Sequence, residues 1–339
     1  MEAIKKERSF YIDNVKSVLI FFVVIAHFAE VAISHSDIFK SMFLWLYSFH
    51  MPLFIFITGY LSKNTISNKE KTKKRIIEYF FLYFLLNFVL FIGKALDREK
   101  SSFNLFDETG VPWYLLSVAI MYLISFLLQN YNQKTIFIFA IVLALFTGYD
   151  KEIGDWFALS RTIVFFPFFL IGQNVNEDIL FNLTTNKKIK FCSIIIILFS
   201  ILIYFVFPDK IMLLRPLLTG RNAYSSLNDS IEFWGPALRL IVYLIAIILS
   251  VAILSIIPKC NLRYFSEIGR RTLPIYFFHR VILYSFSGLN IYGILQSKAG
   301  TFFDNFIWLV LAVFCTIILS LPIFEKPFVL WNKVLYKNK

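Results

Sequence analysis

Charged residues are scarce in this sequence, and so are cysteine, glycine and proline. Of the 339 residues, 17% are charged, 3 are Cys, 12 are Gly and 10 are Pro, whereas 58% are hydrophobic and 41 are Phe. Soluble globular proteins carry about 25% charged residues. With a mean hydropathy of +0.69, the chain is therefore predicted to be a membrane protein.

Several catalytic and metal-binding motifs are also absent. The three cysteines form no CxxC pair and are not clustered with histidine, so we expect neither a disulfide nor a thiolate metal site. The sequence contains no GxSxG, Walker A or HExxH motif, which removes the usual support for a hydrolase, an ATPase or a zinc peptidase. We accordingly expect no bound metal.

Apolar segments dominate the chain instead. Ten of them are long enough to be read as spans of a hydrocarbon layer about 30 Å thick, which predicts an all-α, polytopic membrane protein. The segments lie near residues 15–34, 41–62, 76–96, 112–129, 134–149, 159–173, 190–207, 237–257, 272–288 and 302–324.

Lysine and arginine divide unevenly between the two sides of these spans. With the N-terminus inside, the inner segments carry 21 of the 34 basic residues and the outer loops carry 8. Cytoplasmic loops are enriched in Lys and Arg, so both termini are predicted to be cytoplasmic. Because basic inner loops also attract anionic lipid headgroups, the net charge of +12 needs no nucleic-acid partner, and we expect none.

No stretch between the spans is long enough to fold alone, so residues 1–339 are predicted to form a single membrane-embedded domain. The longest outer stretch, about 208–236, has fewer than thirty residues, below the size that supports its own core. It is polar, aromatic and interrupted by Gly and Pro, as lids and binding loops often are. We find no internal repeat, which an inverted-repeat transporter would be expected to show.

The first apolar segment carries Lys16 and His27, eleven positions apart. Eleven residues are about three helical turns and about 16 Å of rise, so both side chains point from one face of a helix. Ionisable side chains within a span cost free energy, so they are functional candidates by default. Glu30 follows His27 by three residues, so its carboxylate can reach the imidazole and raise its basicity.

Two further histidines are expected at a depth similar to that of His27. His50 lies in the second span and His279 in the ninth. Pro52 follows His50 closely and is expected to bend the helix there. A single buried histidine is more often a packing residue than a catalyst, but three at one depth favour a shared site. His35, at an outer helix end, is expected to be solvated.

Other polar residues at the span ends have a structural interpretation beside the functional one. Asp13 and Lys16 are three residues apart and can form an ion pair at the inner boundary. Trp113 and Tyr114 open the fourth span, where aromatic residues also form interfacial belts. Arg161 opens the sixth span, where its guanidinium can extend to the membrane surface.

Five short motifs follow one another along the chain. The first is a basic residue, ten residues and a histidine, Lys16 to His27, within YIDNVK…VVIAH. It is followed by FHMPLFIFITGY, PWYLLS, R…FFPFFLIG and GRRTLPIYFFH, over residues 8–279. In content and order these motifs resemble those of the integral-membrane acyltransferase family 3, in particular its fucose 4-O-acetylase-like branch, which modifies cell-surface polysaccharides.

The resemblance implies about ten membrane helices and transfer of an acyl group, usually acetyl from acetyl-CoA, to a sugar hydroxyl. By the same resemblance His27 is the catalytic histidine. Lys16 stands where many members carry arginine, and it keeps the charge but lacks the planar fork of a guanidinium. The cations expected to bind the phosphates of acetyl-CoA at the cytoplasmic face are Lys63, Arg75, Arg270 and Arg271.

We therefore expect His27 to act as a general base held by Glu30, with Lys16 stabilising acidic groups or developing charge near the thioester. An acetyl-histidine intermediate is the mechanistic alternative. The outer stretch 208–236 is a candidate lid on the acceptor side. The residues assigned to substrate binding are Asp13, His50, Trp113, Tyr114, Arg161 and His279.

The expected partners are membrane lipid and a glycan acceptor, either a polysaccharide such as a capsule or a lipid-linked sugar. Polysaccharide-assembly proteins and a second copy of the chain are further candidate partners. We expect a multi-pass protein of a bacterial plasma membrane. The alternative function is a transporter or flippase of a glycan or small anionic solute, which ten helices and intramembrane charge would also suit.

Overall fold

The computed structural model describes residues 9–96, 104–106, 110–299 and 301–335, and these residues are almost entirely helical. The outermost residues of both termini, for which a cytoplasmic location is predicted, lie outside this description. The helices are α1 (Phe10–Ala32), α2 (Asp37–Tyr47), α3 (His50–Ile66), α4 (Lys69–Leu96), α5 (Trp113–Leu127), α6 (Gln133–Phe146), α7 (Leu159–Asn174), α8 (Glu177–Thr185), α9 (Lys187–Val206), α10 (Pro208–Met212), α11 (Arg215–Thr219), α12 (Asp229–Glu232), α13 (Gly235–Ile256), α14 (Tyr264–Arg270), α15 (Thr272–Gly288), α16 (Ile291–Ala299), α17 (Thr301–Leu319) and α18 (Pro322–Leu335).

These helices confirm the predicted polytopic all-α fold. Among the described residues, six helical segments are long and apolar enough to cross a membrane: α1, α2 with α3, α4, α9, α13 and α17. The shorter helices α5, α6, α7 and α15 occupy the four remaining predicted spans. In an apolar 18-residue stretch of each segment, 72% of the residues are buried in α2–α3 and 11% in α9, so α2–α3 lies at the centre and α9 at the periphery.

The second predicted span is two helices, and His50 begins the second of them. The helix is broken at residues 48–49, and Pro52, just beyond the break, has no N–H to donate to the preceding turn. The Nδ1 atom of His50 lies 2.6 Å from the carbonyl oxygen of Leu46. In a continuous helix that carbonyl would accept the backbone N–H of His50. At the break it accepts from the imidazole of His50 and from the backbone N–H of Phe49, the latter at 3.2 Å.

Two glycines allow α3 and α7 to cross in backbone contact. A Cβ atom added at Gly59 would lie 2.1 Å from the carbonyl oxygen of Phe169, and one added at Gly172 would lie 2.0 Å from that of Phe56. Small residues permit this close approach of membrane helices. The glycines of FHMPLFIFITGY and FFPFFLIG therefore have a packing role, and the crossing fixes the α2–α3 break beside α7.

At the inner end of the bundle, α1 is joined to α14 by buried polar contacts. The side-chain amide of Asn14 donates to the carbonyl oxygen of Pro258 at 2.9 Å, and its Oδ1 accepts from Ser266 Oγ at 2.6 Å. A Cβ atom at Gly269 would lie 1.8 Å from the carbonyl oxygen of Asp13. Parts of the YIDNVK and GRR motifs therefore hold two segments together.

The long outer stretch 208–236 is anchored through Tyr224. The Tyr224 hydroxyl donates to the carbonyl oxygen of Leu145 at 2.6 Å and accepts from Arg239 Nε at 2.9 Å. Burial raises the pKa of Tyr224, which keeps this donor protonated. Cβ atoms added at Gly148 and Gly235 would lie 2.5 Å and 2.3 Å from the Tyr224 ring, so the ring fills a slot between two glycines.

Candidate active site

A polar cavity of about 110 Å³ lies at the end of α1 that loop charge assigns to the outer side. It is formed by α1, the α2–α3 break, the first turns of α5 and α7, α15 and the long outer stretch. The residues that line it are His27, Glu30, Tyr47, His50, Met51, Gly110, Val111, Trp113, Arg161, Phe165, Leu218, Thr219, Arg221 and Arg280.

The position of His27 within α1 places this cavity nearer the outer surface than the sequence suggested. His27 is seventeen residues from the first residue of α1 and five from the last, or about 26 Å and about 8 Å of helix rise. Because α1 begins and ends earlier than the predicted span 15–34, the imidazole lies in the outer third of the helix and not near its middle.

His27 is held by a carboxylate on its own helix. Its Nδ1 atom lies 3.3 Å from Glu30 Oε2. The Glu30 carboxylate lies in turn 3.6 Å from a guanidinium nitrogen of Arg280 and 3.8 Å from one of Arg215. Two cations favour the ionised carboxylate, and an ionised Glu30 favours the tautomer of His27 with its proton on Nδ1.

The structure brings the other two span histidines to the same place. The rings of His27 and His279 have centroids 5.3 Å apart and are tilted by 30°, while His50 lines the cavity beside His27. His279 Nδ1 lies 2.9 Å from the carbonyl oxygen of Ile275, as His50 Nδ1 lies against that of Leu46. Both rings are fixed by backbone contacts, whereas the His27 ring is fixed by a charged side chain.

Trp113 and Arg161 form a second wall of the cavity. The guanidinium carbon of Arg161 lies 5.1 Å from the centre of the Trp113 ring, in the range of a cation–π contact. Asp155 lies 3.2 Å from Arg161 and 3.0 Å from Arg221, through its two carboxylate oxygens. The turn between Asp155 and Arg161 contains two non-glycine residues with a positive φ, Phe157 at 50° and Ala158 at 52°, and this backbone strain accompanies the placement of Arg161.

Eight of the predicted site residues do not line the cavity: Lys16, Asp13, Tyr114, His279, Lys63, Arg75, Arg270 and Arg271. Tyr114 is one layer behind the cavity wall, with its hydroxyl 2.6 Å from Thr58 Oγ1 on α3. Lys16 and Asp13 are at the inner end of α1, with Lys16 Nζ 3.4 Å from Asp13 Oδ1. Lys16 is about 16 Å along the helix from His27. The shared face predicted for Lys16 and His27 therefore does not bring the two side chains into one site.

Arg270 and Arg271 join the cluster at the inner end of α1. Arg270 Nε lies 3.3 Å from Asp13 Oδ2, and Arg271 Nε lies 2.9 Å from Glu325 Oε2. Glu267 pairs with both arginines. These two cations lie together on the predicted cytoplasmic side, where they share three carboxylates.

Lys63 and Arg75 make their polar contacts elsewhere on that side. Lys63 Nζ donates to the carbonyl oxygen of Val175, and an Arg75 guanidinium nitrogen lies 2.9 Å from Glu78 Oε2. The contacts described for them involve α3, α4 and the end of α7. Their predicted role with the donor phosphates stays a prediction.

Sequence reasoning missed several residues of the cavity. Arg280 follows His279 directly and is one of the few cations inside a span, which was a usable signal. Arg215 and Arg221 lie in the outer stretch that was expected to act as a lid, but nothing in their local sequence singles them out. Tyr47 is brought in by the break before His50.

The arrangement has the parts of an acid–base site: an imidazole, an orienting carboxylate and several cations in a small, partly enclosed space. Groups of this kind can remove a proton and stabilise developing negative charge. In the part of the chain that the structure describes, no three His, Cys, Asp or Glu side chains are grouped to hold a metal ion.

Comparisons with known proteins indicate the family to which the chain belongs. The acyltransferase domain of acyltransferase family 3 matches residues 9–325. Nodulation protein NolL from Mesorhizobium japonicum is 28% identical over 145 residues, which cover 39% of this chain and 39% of that protein, so the match spans about two-fifths of the curated relative. No solved structure matches the chain. Because the family match covers nearly the whole chain, this protein belongs to the integral-membrane acyltransferase family 3.

Proposed function

We propose that this protein is a membrane O-acetyltransferase, which transfers an acetyl group from acetyl-CoA to a sugar hydroxyl. The acceptor in this proposal is a cell-surface polysaccharide or its lipid-linked precursor. The observation that carries the proposal is the pairing of His27 with Glu30 at 3.3 Å in a polar cavity, together with the family to which the chain belongs.

In the proposed reaction His27 is the general base. With Nδ1 donating to Glu30, Nε2 carries the lone pair and accepts the proton of the acceptor hydroxyl. The acceptor oxygen then forms a bond to the thioester carbonyl carbon, and the carbonyl electrons move to its oxygen. When the C–S bond breaks, the proton passes from His27 to the sulfur, so the products are an acetyl ester and the free thiol of CoA.

Charged groups around His27 support this step. Glu30 stabilises the imidazolium that forms when His27 accepts a proton, in the manner of a catalytic triad. Arg280, which lies 3.6 Å from Glu30, is a candidate to stabilise negative charge on the thioester oxygen. In the alternative path, Nε2 of His27 attacks the thioester itself and an acetyl-histidine intermediate then transfers the group.

The donor is proposed to enter from the inner side, where Lys63, Arg75, Arg270 and Arg271 remain the candidates for its phosphates. Lys16 lies on that side and about 16 Å from His27, so its proposed contact is with donor phosphates and not with the reacting carbonyl. The acyl-carrying arm of the donor would extend along α1 to reach the cavity. The acceptor would enter from the outer side, past Trp113, Arg161 and the long outer stretch.

The proposed location is a bacterial plasma membrane, in contact with membrane lipid. Capsule or another surface polysaccharide is the proposed acceptor, and the fucose 4-O-acetylase-like branch stays a prediction. Polysaccharide-assembly proteins and a second copy of the chain remain candidate partners.

Acetyl transfer by the purified full-length protein in lipid nanodiscs tests the proposal. The donor is acetyl-CoA with a labelled acetyl group, and the acceptor is the surface polysaccharide extracted from a strain that lacks this protein. We expect free CoA and labelled polysaccharide in equal amounts, and neither with empty nanodiscs. A carrier would release no CoA, so intact acetyl-CoA in the presence of this acceptor contradicts the proposal.

A further inference from the structure

Three arginines line the cavity, Arg161, Arg221 and Arg280, and a fourth, Arg215, pairs with Glu30 of the cavity wall. Asp155 lies between Arg161 and Arg221, at 3.2 Å and 3.0 Å. Glu30 lies between Arg215 and Arg280, at 3.8 Å and 3.6 Å. Each of these two carboxylates is therefore shared between two guanidinium groups.

The N–H donors of the two arginines around Glu30 are not all used in hydrogen bonds to its carboxylate. Charge-assisted N–H···O contacts are typically about 2.7–2.9 Å long, so contacts of 3.6 Å and 3.8 Å are ion pairs without full hydrogen bonds. The terminal nitrogen of Arg280 that lies 3.6 Å from Glu30 is buried and has no hydrogen-bond partner among the described residues. Each guanidinium has five N–H donors, so donors are left for a ligand.

The backbone and neighbouring rings hold these cations in place. The guanidinium carbon of Arg215 lies 5.2 Å from the centre of the Phe43 ring. Arg221 directly follows Gly220, whose φ of +69° ends α11 in a conformation that glycine adopts readily. The resulting turn brings both Thr219 and Arg221 into the cavity wall.

We infer that the cavity binds a carboxylate of the acceptor, so that the acceptor is an acidic sugar with its reacting hydroxyl close to that carboxylate. The inference rests on the proposed function and names the substrate class of the same site. The two arginine pairs already hold carboxylates of the protein, and guanidinium groups bind carboxylates through matched, planar donors. A carboxylate oxygen of the ligand would give the buried Arg280 nitrogen the acceptor that it lacks among the described residues.

The position of the arginines assigns this carboxylate to the acceptor rather than to the donor. Arg161 is in the first turn of α7, and Arg215 and Arg221 belong to the long outer stretch. The cations predicted to bind the donor are at the other end of the spans. The volume of about 110 Å³ is below the several hundred Å³ of a site for a whole ligand. It therefore admits the reacting edge of one sugar, and the rest of the glycan lies outside.

A comparison of charged and neutral forms of one acceptor tests the inference. The polysaccharide from the strain that lacks this protein is divided, and the carboxylates of one half are reduced to alcohols. Purified protein in nanodiscs is then assayed with acetyl-CoA and each form. Loss of a charge-assisted contact costs about 1.5–3 kcal/mol, so we expect kcat/KM for the reduced form to be lower by at least about tenfold.

Substitution of Arg221 tests whether this residue binds the carboxylate of the acceptor. Arg221→Gln should raise KM for the acidic form by about tenfold and leave KM for the reduced form unchanged, and Arg221→Lys should restore part of the difference. Lys210→Gln, an exposed outer cation that does not line the cavity, should change neither value.

Equal acetylation of both forms, or an acceptor that contains no carboxylate, overturns the inference and leaves the proposed function standing. Equal effects of Arg221→Gln on both forms also overturn it, because they assign Arg221 to the structure of the wall. No transfer to either form contradicts the proposed function itself, and the inference falls with it.

Discussion

The Nδ1 atom of His27 lies 3.3 Å from a carboxylate oxygen of Glu30, one helical turn further along α1. The contact is local in sequence, but the residues that make it chemically useful are not. Glu30 is also held by Arg280 from α15 and by Arg215 from α11. Two residues at an ordinary helical spacing thereby form a charged group of side chains that faces the cavity.

Glu30→Gln should lower kcat and should not raise KM for the acceptor. The amide keeps the size of the side chain but removes the charge that favours the Nδ1–H tautomer and stabilises the imidazolium, and general-base catalysis contributes about 10²–10⁴-fold. We expect kcat to fall by about a hundredfold or more, measured as the release of free CoA at saturating substrates.

Asp37→Asn is the matched control for Glu30→Gln. Asp37 also lies on the predicted outer side and pairs with a lysine three residues on, but its side chain is 80% exposed. It should retain wild-type kcat. If Glu30→Gln retained wild-type kcat as well, the carboxylate would not assist the base.

Lys16→Gln should raise KM for acetyl-CoA by about tenfold, the cost of one charge-assisted contact, and leave KM for the acceptor unchanged. The reason is that Lys16 lies at the inner end of α1, far from the outer cavity. Lys188→Gln, which removes an exposed inner lysine on α9, should change neither constant. A lower thermal stability with an unchanged KM would assign Lys16 to its ion pair with Asp13.

Gly172→Ala should destabilise the protein by about 1–3 kcal/mol or more, the usual cost of overpacking. The added methyl group would lie 2.0 Å from the carbonyl oxygen of Phe56, and a backbone atom at a helix crossing cannot move aside cheaply. Gly93→Ala is the control, because its nearest neighbour would be a Tyr284 side-chain atom at 3.5 Å. Thermal unfolding of both variants in detergent checks the prediction, and equal melting temperatures contradict it.

Much of the fold can be predicted from the lengths of the apolar segments alone. All ten predicted segments are helical, since a span must satisfy its backbone hydrogen bonds internally. The interruption of the second span at residues 48–49 could be anticipated from Pro52, although the sequence does not show whether such a proline bends or breaks a helix.

The candidate site was predictable where its contacts are local and where residues share a depth in the membrane, as the three span histidines do. His27 and Glu30 are three residues apart, so helix periodicity places them together. Arg221 and Arg280 reach the cavity, and Arg215 reaches Glu30, through the packing of the long outer stretch and α15 against α1, which no local pattern encodes. The role of Lys16 stays a prediction, because a shared helix face gives direction but not proximity.

The glycines of the motifs allow close packing of helices, a role that their spacing in the sequence did not predict. Gly59 and Gly172 sit where two backbones touch, and Gly269 sits against the carbonyl of Asp13. A motif in a single sequence does not distinguish residues that act in the chemistry from residues that allow close packing.

The most direct test of the central claim is the acetyl signal in the NMR spectrum of the surface polysaccharide from cells that carry His27→Ala. We predict that the signal disappears while the variant is present in the membrane at the wild-type level, because both the general-base path and the acetyl-histidine path require this imidazole. His35→Ala, which removes an exposed histidine at the outer end of α1, should retain the full signal. Acetylation at the wild-type level in His27→Ala cells would contradict the account.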